Sequence, residues 1–354
     1  MASDDSTLIL GLHHITLVTS NEQLNRKFYT EVLGLRRVKL SVNQDDVYHR
    51  HLFYADDPAK GNAITFFEWP DLPRGMIGLG SPHHLSYDVS SVEGLVKWKG
   101  WLSTNGVPTS GLLPRDERVS LYLRDPDGVV IEITAGNQES LSGDDLSRMD
   151  FGPVDRLIPD MKLTSFNHAS PVSRDPGVTT RFMEKALGLK RSSLSPNQDD
   201  AGTSILGVGN TSHPEFLRYL SSERTRRGMV GIGNVHHIAM GVSDDSDQKK
   251  VLENLQRVGI RNSGIIDRFW FHSLYFRDPD GNLLEVATKT PGYTVDEPAE
   301  TVGARLVLPP WLEPRRSEIQ SALDREDRDN PLKWPPRRYP DLPQPPEKLS
   351  VEIA

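Results

Sequence analysis

Gly231-Ile-Gly-Asn-Val-His236-His237-Ile-Ala-Met240 and, downstream of it, Arg277-Asp-Pro-Asp-Gly281-Asn-Leu-Leu-Glu285 set a histidine pair and a lone carboxylate in two apolar runs. Apolar residues alternate around the histidine pair, as in a buried strand, and Asp-Pro-Asp-Gly marks a turn feeding another strand whose apolar run holds one carboxylate. An ionised carboxylate in a buried strand is costly unless it is paired or bound to a metal. Glu285 together with a strand-borne histidine therefore points to a metal, against the plainer alternative of a solvated edge-strand glutamate and a hydrogen-bonded core histidine.

The stretch has a twin. Arg74-Gly-Met-Ile-Gly-Leu-Gly-Ser-Pro-His83-His84 and Leu123-Arg-Asp-Pro-Asp-Gly128 recur 153 positions later as Arg227 to His237 and Phe276 to Gly281. Leu33-Gly-Leu-Arg-Arg and Asn43-Gln-Asp-Asp46 recur 154 positions later, at Leu187 and Asn197. The sequence is thus a duplication with one deletion between about 200 and 227. Each half reads as two modules of strand, helix and three strands. Helices are expected up to Val32, near 92–104, near 175–186 and near 245–258, with strands around them. The expected divisions are a first repeat over 1–140, a linker over 141–161, a second repeat over 162–290 and an extension over 291–354. That extension allows one helix near Arg316 to Leu323 before a proline-rich tail, expected to support a subunit contact or cover an opening.

A chain of 354 residues can bury two ordinary cores. Its formal net charge of -8 and lack of a dense basic patch argue against nucleic acid or an anionic membrane as partner. With no cysteine, thiolate nucleophiles, zinc-thiolate sites and disulfides are excluded. No segment has the apolar length of a membrane span, and the first residues lack a signal pattern, so a cytoplasmic protein is expected.

Each module's first strand carries a histidine at the matching place: His14, His84, His168 and His237. The second and fourth modules add Glu132 and Glu285, each four residues after the turn glycine. Two histidines and one carboxylate from separate strands form a facial ligand set, which leaves coordination positions open and suits Fe(II) or another divalent first-row metal. Pairing stays open at this level: the first module with the fourth gives His14, His237 and Glu285, whereas sequential pairing gives His168, His237 and Glu285.

His13-His14-Ile-Thr, Phe28-Tyr-Thr-Glu-Val-Leu-Gly-Leu35, Thr65-Phe-Phe, Val235-His-His-Ile-Ala, Asp267-Arg268, Leu274-Tyr275 and Leu283-Leu-Glu285 resemble the vicinal oxygen chelate superfamily, and more closely its hydroquinone-type ring-cleaving dioxygenases. The resemblance spans nearly all of 9–327. It implies an α+β fold of four βαβββ modules forming two half-barrel domains. It also implies Fe(II), or Mn(II), on His14, His237 and Glu285, with His13, Arg268 and Tyr275 beside the ligands as catalytic residues. The substrates implied are a small aromatic diol and O2, and a homo-oligomer is expected. Histidine and tyrosine can move the proton that ring cleavage requires, and arginine can hold an anionic oxygen. Trp69, Trp270, Phe271 and His272 are the candidates for the pocket wall.

Relatives of this kind usually lack the other set, His84, Glu132 and His168, so a second metal site is a hypothesis. Against a second catalytic centre stand Asn167, where the first module has His13, and Arg218 or Tyr219, where it has Thr65. Sequential pairing, with sites His14, His84, Glu132 and His168, His237, Glu285, would resemble the catechol-cleaving extradiol enzymes. A glyoxalase-type isomerase would want a second carboxylate near Thr65, but Glu68 falls on the opposite strand face.

Overall fold

The computed structural model describes residues 8–58, 62–115, 117–136, 141–150, 152–192, 203–208, 215–221 and 226–329. Asn197 to Asp200 and the proline-rich tail lie outside the described residues. The first module comprises β1 (Gly11–Thr19), α1 (Glu22–Lys27), β2 (Arg36–Asn43), β3 (Asp46–Ala55) and β4 (Ala63–Glu68). The second comprises β5 (His84–Asp88), α2 (Val92–Thr104), β6 (Leu113–Arg115), β7 (Arg118–Arg124) and β8 (Val130–Gly136), and the short α3 (Gly143–Arg148) lies in the connection that follows. The third holds β9 (Phe166–Ser170), β10 (Val172–Ser173), α4 (Pro176–Leu187), β11 (Lys190–Arg191), β12 (Ser204–Val208) and β13 (Glu215–Ser221). The fourth holds β14 (Val235–Val242), α5 (Asp245–Arg257), β15 (Asn262–Asp267), β16 (His272–Arg277) and β17 (Leu283–Thr288), and α6 (Arg316–Asp329) comes after it. Each module helix starts on a side chain that accepts from its first turn: Asn21, Ser91, Asp175 or Asp244.

Two curled half-barrel sheets result, with orders β15-β16-β17-β14-β1-β4-β3-β2 and β11-β12-β13-β9-β5-β8-β7-β6. The first module therefore joins the fourth, through antiparallel β1 and β14, and the second joins the third, through β5 and β9. Sequential pairing does not occur. Within each module the first strand lies parallel to the last, so the histidine strand and the glutamate strand are neighbours.

Strand alternation sorts the two faces. Ile15, Leu17, Ile238, Met240, Leu284 and Val286 join the large core, which also holds Leu95, Trp98, Met183 and Leu255 of the helices. The alternate residues His14, Thr16, His237, Ala239, Glu285 and Ala287 fall on the other face, and Ala239 and Ala287 there pack with Phe53, Trp270, Phe271 and Tyr293. A one-residue slip would send every ligand into the helix layer.

The Asp-Pro-Asp-Gly turns deliver the glutamate strands and link the sheets. Asp278 Oδ1 accepts from the amides of Asp280 and Asn282 at 3.0 and 2.9 Å, and Gly281, at φ 95°, takes the left-handed backbone that closes the turn. The second aspartate reaches the other sheet: Asp280 accepts from Ser173 Oγ and Thr179 Oγ1 at 2.5 and 2.9 Å, and Asp127 from Thr19 Oγ1 and Ser20 Oγ, both at 2.5 Å. The extension serves its own barrel. Val307 N donates to Leu40 O at 3.0 Å and Arg37 Nε to Gly303 O at 2.7 Å, which covers the free edge of β2. Leu308, Leu312, Ile319 and Leu323 pack on Val42. No helix among the described residues is long and apolar enough to cross a membrane.

Candidate metal centre and its cavity

His14, His237 and Glu285 converge from β1, β14 and β17. The two Nε2 atoms are 3.2 Å apart, and Glu285 Oε2 is 3.2 Å from the first and 3.0 Å from the second. Three ligands about 2.1 Å from one ion at right angles would be separated by ~3.0 Å, so this triangle has the size of one octahedral face. All three side chains are buried. Glu285 Oε2 accepts no hydrogen bond of normal geometry among the described residues, although both ring nitrogens are close. The three ligand atoms lie close enough together to share one cation. Burial alone would push the Glu285 carboxyl up, but the electrostatic attraction of the adjoining His14 and His237 rings holds it well below the usual carboxylate range. The other oxygen, Oε1, accepts from Ser273 Oγ at 2.6 Å.

Both ligand rings are held from behind by the preceding residue. His13 Nδ1 lies 2.8 Å from His14 Nδ1, and His236 Nδ1 lies 2.8 Å from His237 Nδ1. Adjacent strand residues normally point to opposite faces. Here the β1–β14 ladder skips His13 on one strand and His236 on the other, so each is the extra residue of a bulge, and a bulge re-aims its side chains. Burial, with the neighbouring His14, pushes His13 down to about 3, and burial with His237 does the same to His236. Both rings are neutral at pH 7. Each can accept the Nδ1 proton of the ring in front, which leaves that ring's Nε2 lone pair for a cation.

A cavity of about 520 Å³ opens onto His14 and His237. Its walls include Phe53, Phe67, Trp69, Trp270 and Phe271, with His51, His236, Arg268 and Tyr275 as polar groups. Of the expected wall residues, His272 is absent from the lining. It sits on the helix side of β16, where Nδ1 pairs with Asp245 of α5. His13 does not line the cavity either, and packs behind His14 against Phe271 and Tyr293. Arg268 is at the mouth, and two of its guanidinium nitrogens bind Asp45 at 3.0 and 2.7 Å. Tyr275 stands with its ring centroid 5.7 Å from that of His237, and burial, followed by the Glu285 charge, raises its hydroxyl pKa, so it keeps its proton.

His51 was not singled out by the sequence. Its Nε2 lies 3.0 Å from Thr65 Oγ1, which is 2.7 Å from Thr16 Oγ1, itself 3.0 Å from His237 Nε2. Burial first, and then the electrostatic influence of the neighbouring His14, lower its pKa well below the usual value. Glu68 takes no part in the site, for it accepts from Arg50 Nη1 and the Glu22 amide at 2.8 and 2.7 Å.

If His13 serves only to orient His14, His13→Asn should keep both metal and turnover, while His13→Ala should weaken metal affinity by ~10–100-fold. Chelator competition reads the first quantity and oxygen uptake the second. An Asn variant that holds metal but has lost turnover would instead assign His13 a proton-transfer role.

Buried His/His/Glu ligands in a curled sheet of paired βαβββ modules define a metal-site protein of the glyoxalase-like class. The chain belongs to the Glyoxalase/Bleomycin resistance protein/Dioxygenase superfamily, whose profile matches residues 11–133 and 165–286. It is 33% identical over 323 residues to a Bacillus subtilis (strain 168) protein provisionally named ring-cleaving dioxygenase MhqA, covering 88% of this chain and 98% of that one. It is 28% identical to the chlorohydroquinone/hydroquinone 1,2-dioxygenase of Sphingobium indicum, covering 89% and 96% of the two chains. A crystal structure of a provisionally assigned dioxygenase from Bacillus subtilis superimposes with a TM-score of 0.77 at 30% identity, over 89% of this chain and 96% of that one. Glyoxalase I from Zea mays, at 18% identity and a TM-score of 0.56 over 79% and 92% of the chains, shares the fold.

Proposed function

We propose that the chain is a ring-cleaving dioxygenase that inserts O2 into a hydroquinone-like diol, using Fe(II), or Mn(II), held by His14, His237 and Glu285. The observation that carries this is the His/His/Glu triangle opening onto an aromatic-walled cavity. The ion would supply open coordination positions for diol and O2 and a route for electrons between them. Everything else falls to the side chains. Phe53, Phe67, Trp69 and Phe271 bracket a flat ring and exclude water. Tyr275, protonated and beside His237, donates a proton to an oxygen of the opening ring. The neutral His51, tied through Thr65 and Thr16 to the ligand face, is placed to accept a hydroxyl proton as the diol binds. The Arg268–Asp45 pair holds the 43–46 turn over the mouth, and Gln44 Nε2 adds a bond to Arg268 O at 2.9 Å.

Oxygen uptake by the Fe(II)-loaded chain across hydroquinones and catechols tests the assignment, with uptake expected on para-diols. A chain that consumes no oxygen but isomerises thiol adducts would be a glyoxalase instead. Preference for catechols would move it to the ortho-cleaving enzymes. Tyr275→Phe should keep its metal and lose about 100-fold in kcat, the lower end of what a positioned acid contributes, because the hydroxyl is replaceable by cavity water. An unchanged kcat would remove Tyr275 from the chemistry.

A further inference from the structure

The second half-barrel repeats the ligand geometry of the first. His84 Nε2 and His168 Nε2 are 3.2 Å apart, and Glu132 Oε2 lies 3.3 and 3.0 Å from them. Glu132 Oε2 is also buried without a hydrogen bond of normal geometry among the described residues. Glu132 Oε1 accepts from Ser120 Oγ, as Glu285 does from Ser273. The rings are backed in the same way: His83 Nδ1 lies 2.9 Å from His84 Nδ1, and Asn167 Oδ1 lies 2.8 Å from His168 Nδ1. Asn167 is again the extra residue of a bulge, between Ser86↔His168 and Tyr87↔Phe166. An amide oxygen can only accept from that ring nitrogen, so the Nδ1 of His168 carries the proton and its Nε2 lone pair faces Glu132 and His84. Asn167 therefore completes the ligand arrangement rather than breaking it.

The surroundings differ. Arg218 is two residues past Phe216, the partner of His168, as Thr65 is two past Ala63, the partner of His14. The register thus settles on Arg218 rather than Tyr219, and puts a long side chain where the first site has a threonine. Tyr122 and Arg115 are buried, whereas their counterparts Tyr275 and Arg268 border the cavity. The side that opens to the cavity in the first site is thus taken up by buried Arg218, Tyr122 and Arg115 in the second, which leaves no approach for an aromatic ring.

We propose that His84, Glu132 and His168 form a second divalent-metal site, whose ion ties the second module to the third and turns over no substrate. Metal counting on the full chain tests this, and does not depend on the dioxygenase assignment. After anaerobic loading with Mn(II) and removal of excess, the wild type should hold two equivalents. His14→Ala should hold one, with diol-dependent oxygen uptake lost. His168→Ala, or Glu132→Gln if the first fails to fold, should hold one with uptake retained. Loading His14→Ala should also raise its unfolding midpoint, because the ion binds the folded state. One equivalent in the wild type and none in His14→Ala overturns the second site. Uptake surviving in His14→Ala overturns its inert role.

Discussion

Glu285→Gln is expected to fold, to hold one metal equivalent fewer than the wild type and to show no diol-dependent oxygen uptake. The substitution keeps the shape and the Ser273 contact but removes the charge. Two neutral imidazoles and an amide oxygen then face the ion, with no anion to offset its charge in a buried site. Loss of a group that only orients a ligand already costs ~10–100-fold in metal affinity, so loss of the charged ligand should cost more than ~100-fold. Metal content by elemental analysis and oxygen uptake on one preparation read both effects. A variant that keeps its metal and its uptake would mean that Glu285 is a structural carboxylate. The charge-neutral variant should not unfold, because the carboxylate at this position costs desolvation that the amide avoids.

How much of this site was legible in the sequence differs residue by residue. His14, His84, His168 and His237 could be read because duplication repeats them at matching strand positions, and the two glutamates because a recognisable turn precedes each. The partnership was not legible. All four modules present the same strand pattern, so local sequence is indifferent to which pair closes a sheet, and only the assembled β1–β14 and β5–β9 ladders decide. The bulges at His13, His236 and Asn167 were hidden for a related reason, since an extra residue exists only relative to a partner strand. A reader of one strand places His13 opposite His14 and misses that the two rings touch. His51 lacked the second copy, since no histidine stands at the matching place of the third module. Its role emerges only when β3 is laid against β4 and Thr65 comes within reach. The helices expected near 92–104, 175–186 and 245–258 were readable to within a residue, because each starts on a local cap that needs no distant partner, whereas the first helix gives way to a π-helical turn after Lys27 and the last runs on from Leu323 to Asp329.

The largest stability effect is expected at Lys39, which no motif marks. Its ammonium is fully buried and bonds Asp296 Oδ1 and Glu297 Oε2, each at 2.7 Å, so the extension is fixed to β2 by charge inside the protein. Trp270 joins the same group: its Nε1 donates to Asp296 Oδ1 at 3.1 Å, and the Lys39 ammonium stands 5.3 Å from its ring centroid. Lys39→Ala leaves Glu297 buried with a distant Arg305 at 3.9 Å as its remaining cation among the described residues. Breaking a buried pair from one side typically costs ~3–5 kcal/mol, because the surviving charge stays desolvated. Chemical denaturation of the variant should show a loss of that size. Trp270 is also a wall of the cavity, so KM for the diol should rise while metal content stays at the wild-type value. The triple change Lys39→Met, Asp296→Asn and Glu297→Gln separates the causes, since removing all the charges together relieves the penalty and should recover much of the stability. If Lys39→Ala alone is as stable as the wild type, water reaches the carboxylates and the extension is held by its apolar contacts on Val42 and Phe53 instead.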